Sequence, residues 1–143
     1  MKLLEFMMAK QSRCQYKKSV FPSKSRIIAI GDIHGDFHAL LSSLKLAKVI
    51  QEIPIQKANY NSPFDGNKYY QWSGGNTFLI QLGDLLDRGG RGVSTRPEHE
   101  MEEIQVLKFL YDLSLEAEQS RGKVITLIGN HELMNMLGDF RYA

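Results

Sequence analysis

Three short apolar runs each stop at a glycine followed by a polar, ligand-capable residue, and this recurrence constrains the chain more than any other feature. Residues 26–30, Arg-Ile-Ile-Ala-Ile, lead into Gly31-Asp32-Ile33-His34-Gly35-Asp36. Residues 76–82, Asn-Thr-Phe-Leu-Ile-Gln-Leu, lead into Gly83-Asp84-Leu85-Leu86-Asp87-Arg88-Gly89. Residues 123–128, Lys-Val-Ile-Thr-Leu-Ile, lead into Gly129-Asn130-His131-Glu132. Runs that are short, mostly apolar and rich in β-branched residues read as buried parallel strands. Helical spacing follows: Leu40, Leu41, Leu44, Ala47 and Val49 over 37–50, then Met101, Ile104, Leu107, Phe109 and Leu110 over 98–119, and a short helix over 132–137. The order β-α-long loop-β-loop-α-β-α predicts an α/β fold, a mostly parallel sheet with flanking helices and right-handed crossovers. Ligands of such sheets gather beyond the carboxyl ends of the strands, so one edge should receive all three motifs.

The rest of the chain sets boundaries. Residues 1–25 read as a basic tail, with Lys10, Arg13, Lys17, Lys18 and Lys24. Glu5 interrupts its short apolar run, which argues against a secretory signal and leaves organelle targeting open. Residues 51–75 read as a long connection, punctuated by Pro54, Pro63, Asp65-Gly66 and Gly74-Gly75. Residues 88–97 form a basic, Gly-rich loop. A net charge of +2, from 18 basic and 16 acidic side chains, makes no case for nucleic acid or a membrane surface. The one cysteine, Cys14, excludes an internal disulfide framework and a Cys-only zinc site, and points to the cytoplasm or another reducing intracellular compartment. No apolar run is long enough for a membrane span.

The motifs suggest metal and phosphate chemistry. Asp32 and His34 lie two apart, so an extended loop can aim both the same way. A carboxylate with an imidazole suits manganese, iron or zinc. Asp84 can bridge two ions, and Asn130 offers an amide oxygen. Arg88 carries a planar fork for phosphate oxygens. His131 can donate a proton, with Asp87 orienting its ring. Taken singly, each residue has a plainer reading: Asp32 and Asp84 as loop residues or helix caps, Asp36 as the cap of the helix starting at Phe37, Arg88 as a surface arginine, His38 and His99 as non-ligands. The shared strand-to-loop setting is what favours a site.

The ordered set Gly-Asp-Ile-His-Gly, Gly-Asp-Leu-Leu-Asp-Arg-Gly and Gly-Asn-His-Glu resembles the calcineurin-like metallophosphoesterases, and within them the serine/threonine phosphoprotein phosphatase branch. The run from Gly129 to Tyr142 and the segment Trp72-Ser73-Gly74-Gly75-Asn76-Thr77 resemble the Shewanella-like phosphatases. The resemblance implies Asp32 and His34 as ligands of a first metal ion, Asp84 as the bridge and Asn130 as a ligand of a second. It implies His131 and Asp87 as the pair near the leaving group, and Arg88 as a phosphate clamp. The implied reaction is hydrolysis of a phosphoprotein or small phosphomonoester by a metal-bound hydroxide.

The same resemblance implies that residues 26–143 correspond to the N-terminal half of a catalytic domain, an α/β/β/α sandwich whose second sheet is largely missing here. That second half would bring two further metal-binding histidines and another arginine, and no histidine follows His131. The expectation is therefore one firmly held ion or none, an apolar sheet face left open, and a complementary C-terminal half or another protein to cover it. The alternative is a non-catalytic interaction or structural component derived from a truncated phosphatase.

Overall fold

The computed structural model describes residues 20–59, 62–88 and 97–142, without the side chains of 97–101. Most of the basic tail, Cys14, the Gly-rich loop after Arg88 and the side chain of His99 lie outside the described residues. In chain order the elements are β1 (Ile27–Ile30), α1 (Phe37–Leu46), β2 (Ile50–Ile53), a 3-10 turn (Ile55–Lys57), β3 (Tyr69–Trp72), β4 (Phe78–Gln81), α2 (Pro97–Gln119), β5 (Lys123–Thr126) and α3 (Asn130–Met136). β1, β4 and β5 form a parallel sheet in the order β1-β4-β5, while β2 and β3 form a separate antiparallel ribbon. The α/β arrangement and the parallel sheet are as expected; the two-stranded ribbon is an addition to it.

The parallel register aligns Ile28 with Leu79 and Leu79 with Val124. Side chains alternate across a strand, so this row and Ile30 share one face. That face carries the core: Leu40, Leu41 and Leu44 of α1, and Val106, Phe109, Leu110, Leu113 and Ala117 of α2, are buried with it. Leu40, Leu44, Leu79 and Leu113 have no accessible surface, and each such side chain contributes about 1.5–3 kcal/mol by its burial. The opposite face holds Ile27, Ala29, Phe78, Ile80 and Ile125. Phe78 is covered by an edge-on contact with Phe21 and by Lys24 over its ring. Ile27 stays 59 % exposed, and Leu82, Leu127 and Ile128 extend the bare apolar surface beyond the strand ends.

The structure shifts several boundaries. The helix expected over 37–50 ends at Leu46, because Lys48 turns into the left-handed region (φ 54°) and delivers Ile50 to β2. Its start is as expected: Asp36 caps it, with Oδ1 accepting from Ala39 N at 2.9 Å. The segment 51–75 is not a plain connection, since β2 and β3 occupy much of it. Tyr70 and Trp72 alternate inward along β3. Tyr70 meets Phe109 of α2 at 5.7 Å between ring centroids, and Glu116 of α2 accepts from Trp72 N at 2.7 Å. The last helix starts at Asn130, so the third motif lies on its first turn rather than before it. Among the described residues no helix is long and apolar enough to cross a membrane.

Candidate metal and phosphate site

The three motifs meet at the carboxyl edge of the parallel sheet because their backbones are bonded to one another. Ile33 N and His34 N both donate to the carbonyl of Asp84, at 2.9 and 3.0 Å, and Gly35 N donates to Leu85 O at 2.7 Å. These bonds lock the first loop on the second. The second loop touches the third through paired glycines. A Cβ on Gly83 would stand 2.3 Å from Gly129 N, and one on Gly129 would stand 2.2 Å from Asp84 Oδ1, so neither turn has room for a side chain. His34, Asp84 and Asp87 hold positive φ values of 47°, 54° and 67°. Strained backbone of this kind persists where surrounding structure overdetermines it, and it clusters at working sites.

Two buried residues outside the sequence-derived set do much of the positioning. The Glu132 carboxylate accepts four backbone N–H groups: Asp84 (2.7 Å) and Gly129 (2.9 Å) on Oε2, Leu85 (2.7 Å) and Leu86 (3.1 Å) on Oε1. Gln81, with no accessible surface, donates from Nε2 to Gly31 O (3.2 Å) and Gly83 O (2.7 Å), and accepts from Gly83 N (2.8 Å) on Oε1. A glutamate three residues after a helix-opening glycine has the spacing of half a capping box, which is the sequence signal for Glu132. A glutamine ending an apolar strand just before Gly-Asp is the weaker signal for Gln81.

His34, Asp84 and His131 each offer a ligand atom, and these atoms lie within 4.8 Å of one another. His34 Nδ1 lies 2.9 Å from the carbonyl of Leu86. A carbonyl can only accept, so Nδ1 carries the proton and the lone pair sits on Nε2. His131 Nδ1 lies 2.8 Å from Asp87 Oδ2 in a buried pair, which turns its Nε2 outward from that carboxylate. The other Asp87 oxygen accepts from Asn135 Nδ2 at 2.8 Å. Asp84 Oδ1 accepts from His131 N at 2.9 Å, and the two imidazoles meet edge to face at 4.7 Å. Two imidazoles and a carboxylate, with outer hydrogen bonds fixing both rings, suit a borderline divalent metal. The residues present fit such an ion.

The remaining expected residues belong to the same three motif segments. Asp32 is exposed, with Oδ2 3.7 Å from His34 Nε2. Asn130 is exposed at the first position of α3. The Asp87–His131 pair is present. Arg88 Nη1 donates to Gly35 O at 3.1 Å and to the Glu102 carboxylate, and Nη2 is 3.8 Å from Asp36 Oδ2. His131, read from the sequence as the proton donor beside the ligands, lies close enough to join the cluster, and its ring is also 5.2 Å from that of Tyr142. His38 is exposed on α1.

Residues 25–143 match the family model of the calcineurin-like phosphoesterases, and the chain belongs to that family. It is 38 % identical over 123 residues to Shewanella-like protein phosphatase 2 of Arabidopsis thaliana, covering 86 % of this chain and 25 % of that protein. It is 37 % identical to Shewanella-like protein phosphatase 1 of Plasmodium berghei, covering 82 % of this chain and 25 % of that one. Among solved structures, the cold-active protein-tyrosine phosphatase of a psychrophilic Shewanella species matches with a TM-score of 0.59 and 28 % identity, over 87 % of this chain and 30 % of that one. The chain thus spans about a quarter to three tenths of the length of these relatives. The serine/threonine branch expected from the motifs is corrected here: the matching solved structures are of protein tyrosine phosphatases. The superfamily and the Shewanella-like likeness stand.

Proposed function

We propose that the chain forms part of a metal-dependent phosphomonoester hydrolase centre that acts on a phosphoprotein. The observation that carries this reading is the convergence of His34, Asp84 and His131 within 4.8 Å, each held by an outer hydrogen bond. His34 Nε2 and the Asp84 carboxylate would hold a divalent ion, with Asp32 and Asn130 at its flanks, while His131, the third group of the cluster, would serve as proton donor rather than ligand. When bound there, a divalent ion would supply polarisation of a phosphoryl oxygen and a water acidic enough to react near neutral pH. His131 would pass a proton from Nε2 to the departing oxygen, with the buried Asp87 carboxylate, bonded to its Nδ1, holding the ring in orientation. Arg88 binds phosphate oxygens through its fork.

The tyrosine phosphatases among the matching structures make a phosphotyrosine peptide the first substrate to test. The bare sheet face around Ile27, Leu82, Leu127 and Ile128 supports a complementary segment that buries it, from this protein or a partner, and that segment would supply the second-ion ligands. The same bare face favours the second reading, an interaction component without catalysis. The experiment is manganese-dependent hydrolysis of a phosphotyrosine peptide, with and without the following segment of a Shewanella-like relative. Turnover that needs metal and is lost in Asp84→Asn is the expected result. Metal-independent turnover, or equal turnover in Asp84→Asn, would overturn the proposal, and manganese binding without turnover in either arm would leave the interaction reading.

A further inference from the structure

Arg88, the residue assigned to phosphate, is already surrounded by protein anions. Its Nη1 donates to the Glu102 carboxylate and to Gly35 O (3.1 Å), and its Nη2 faces Asp36 Oδ2 at 3.8 Å. Its backbone N donates to Glu103 Oε1 at 3.0 Å. The backbone bond fixes the loop, while the side-chain bonds fix where the guanidinium points. Arg88 and Glu102 are partly exposed, at 29 % and 30 % of their side-chain surface, so an anion arriving from solvent can reach the pair. Asp36 is committed elsewhere through Oδ1, which caps α1. Glu102 sits early on α2, five residues past its first residue, and reaches across to the loop that follows β4.

We infer that Glu102 is an internal competitor for the Arg88 guanidinium, so that a phosphate group engages Arg88 by displacing the Glu102 carboxylate. Both anions seek the same planar donors, and a charge-assisted bond to one must be broken or bent to make the other. Glu102 thereby sets the affinity of the site for phosphate and holds Arg88 in an ordered place when no phosphate is bound. The inference rests on the reading of Arg88 as the phosphate-facing arginine, and its test separates the two.

The test is calorimetric titration of inorganic phosphate into the 143-residue chain at a fixed manganese concentration, using wild type, Glu102→Gln, Arg88→Ala, the double variant and Glu118→Gln. Glutamine keeps the shape and one acceptor oxygen, so the fold is retained, and a thermal melt of each variant checks this. Glu118 is an exposed carboxylate on the same helix, 3.9 Å from Lys123, and serves as the charge control. Glu102→Gln should bind phosphate about three- to tenfold more tightly, as expected for removing a partly exposed charged rival. Arg88→Ala should bind more weakly, Glu118→Gln should match wild type, and the double variant should show none of the gain. If Arg88→Ala weakens binding but Glu102→Gln does not tighten it, Glu102 supports Arg88 rather than competing, and the inference is overturned with the Arg88 reading intact. If Arg88→Ala binds as wild type does, the Arg88 reading falls and the inference with it. A gain that persists in the double variant reduces the effect to general charge and also overturns it, as does an absence of phosphate binding in every variant.

Discussion

Glu132 and Glu116 are both glutamates whose carboxylates accept from backbone N–H groups of another segment, and their surroundings differ sharply. Glu132 is buried and receives four backbone donors from the second and third motif loops. Glu116 is half-buried on α2 and receives one, Trp72 N at 2.7 Å, with Asp112 nearby. A carboxylate loses its hydration when buried and regains that loss only through donors. Glu132 is satisfied and acts as the centre of the loop cluster. Glu116 is under-satisfied, and burial, its largest influence, pushes its carboxyl above the ordinary value, with the Asp112 charge adding to the rise and the Trp72 bond opposing it. Where loops lack a strand ladder, one carboxylate replaces it. Where the ladder exists, as in the β2–β3 ribbon, the carboxylate is an accessory.

The comparison breaks first at Glu132. Glu132→Ala strips the acceptor from four backbone N–H groups, two of them in buried bonds and two in partly buried ones. Each buried donor left without a partner costs about 1–3 kcal/mol, so even with water reaching some of them the loss should be about 3 kcal/mol or more. Urea denaturation measures it, and manganese affinity should fall with it, since Asp84 N is one of the four. A variant that melts and binds metal as wild type does would show that the loops hold themselves.

The next effect concerns the ligands those loops carry. His34→Ala removes a ring fixed by Leu86 O, whereas Asp32→Ala removes an exposed carboxylate whose described contact is 3.7 Å from His34. His34→Ala should weaken manganese binding about tenfold or more, and Asp32→Ala by less. Titration of both variants orders them. The reverse order would place Asp32 at the centre of the ligand set and His34 at its edge.

Much of this was legible in the chain. The strands at 27–30, 78–81 and 123–126 could be read because buried parallel strands are runs of apolar residues broken by glycine, a pattern that neighbours do not alter. The pairing of His131 with Asp87 could be read because both sit in motifs that must share one sheet edge. β2 and β3 could not. Ile50-Gln51-Glu52-Ile53 has no strict alternation, and Tyr70 and Trp72 are strand-like only once α2 lies over them. The positioning roles of Glu132 and Gln81 are not legible in the chain, because a buried polar side chain has no period; its signal is its bond partners, which exist only in three dimensions. The place of Arg88 was hidden for the same reason, since Glu102 lies fourteen residues away on a helix.

The smallest effect sharpens the contrast from the side of Glu116. A carboxyl whose folded-state value lies above its unfolded value binds more protons in the folded state, between the two values. Stability from this group is therefore present at low pH and is lost as pH rises from the ordinary carboxylate value through the raised one. The lowered carboxyls Asp65, where burial pushes upward but bonds from Lys68 N, the Tyr70 hydroxyl and Asn67 N together outweigh it, and Asp139, held down by Arg141, contribute in the opposite sense. They are lost as pH falls, so the whole-protein profile mixes both signs. Glu116→Gln isolates one of them: glutamine keeps an acceptor for Trp72 N and carries no charge beside Asp112. The variant should be equal to wild type or slightly more stable at neutral pH, by no more than about 1 kcal/mol, and should lag wild type as pH falls toward the ordinary carboxylate value. Thermal melts of both proteins from about pH 4 to about pH 7 measure the difference curve directly. A difference that does not change across that window would mean that Glu116 titrates as it does in the unfolded chain, and that one backbone donor is enough for a carboxylate in its place.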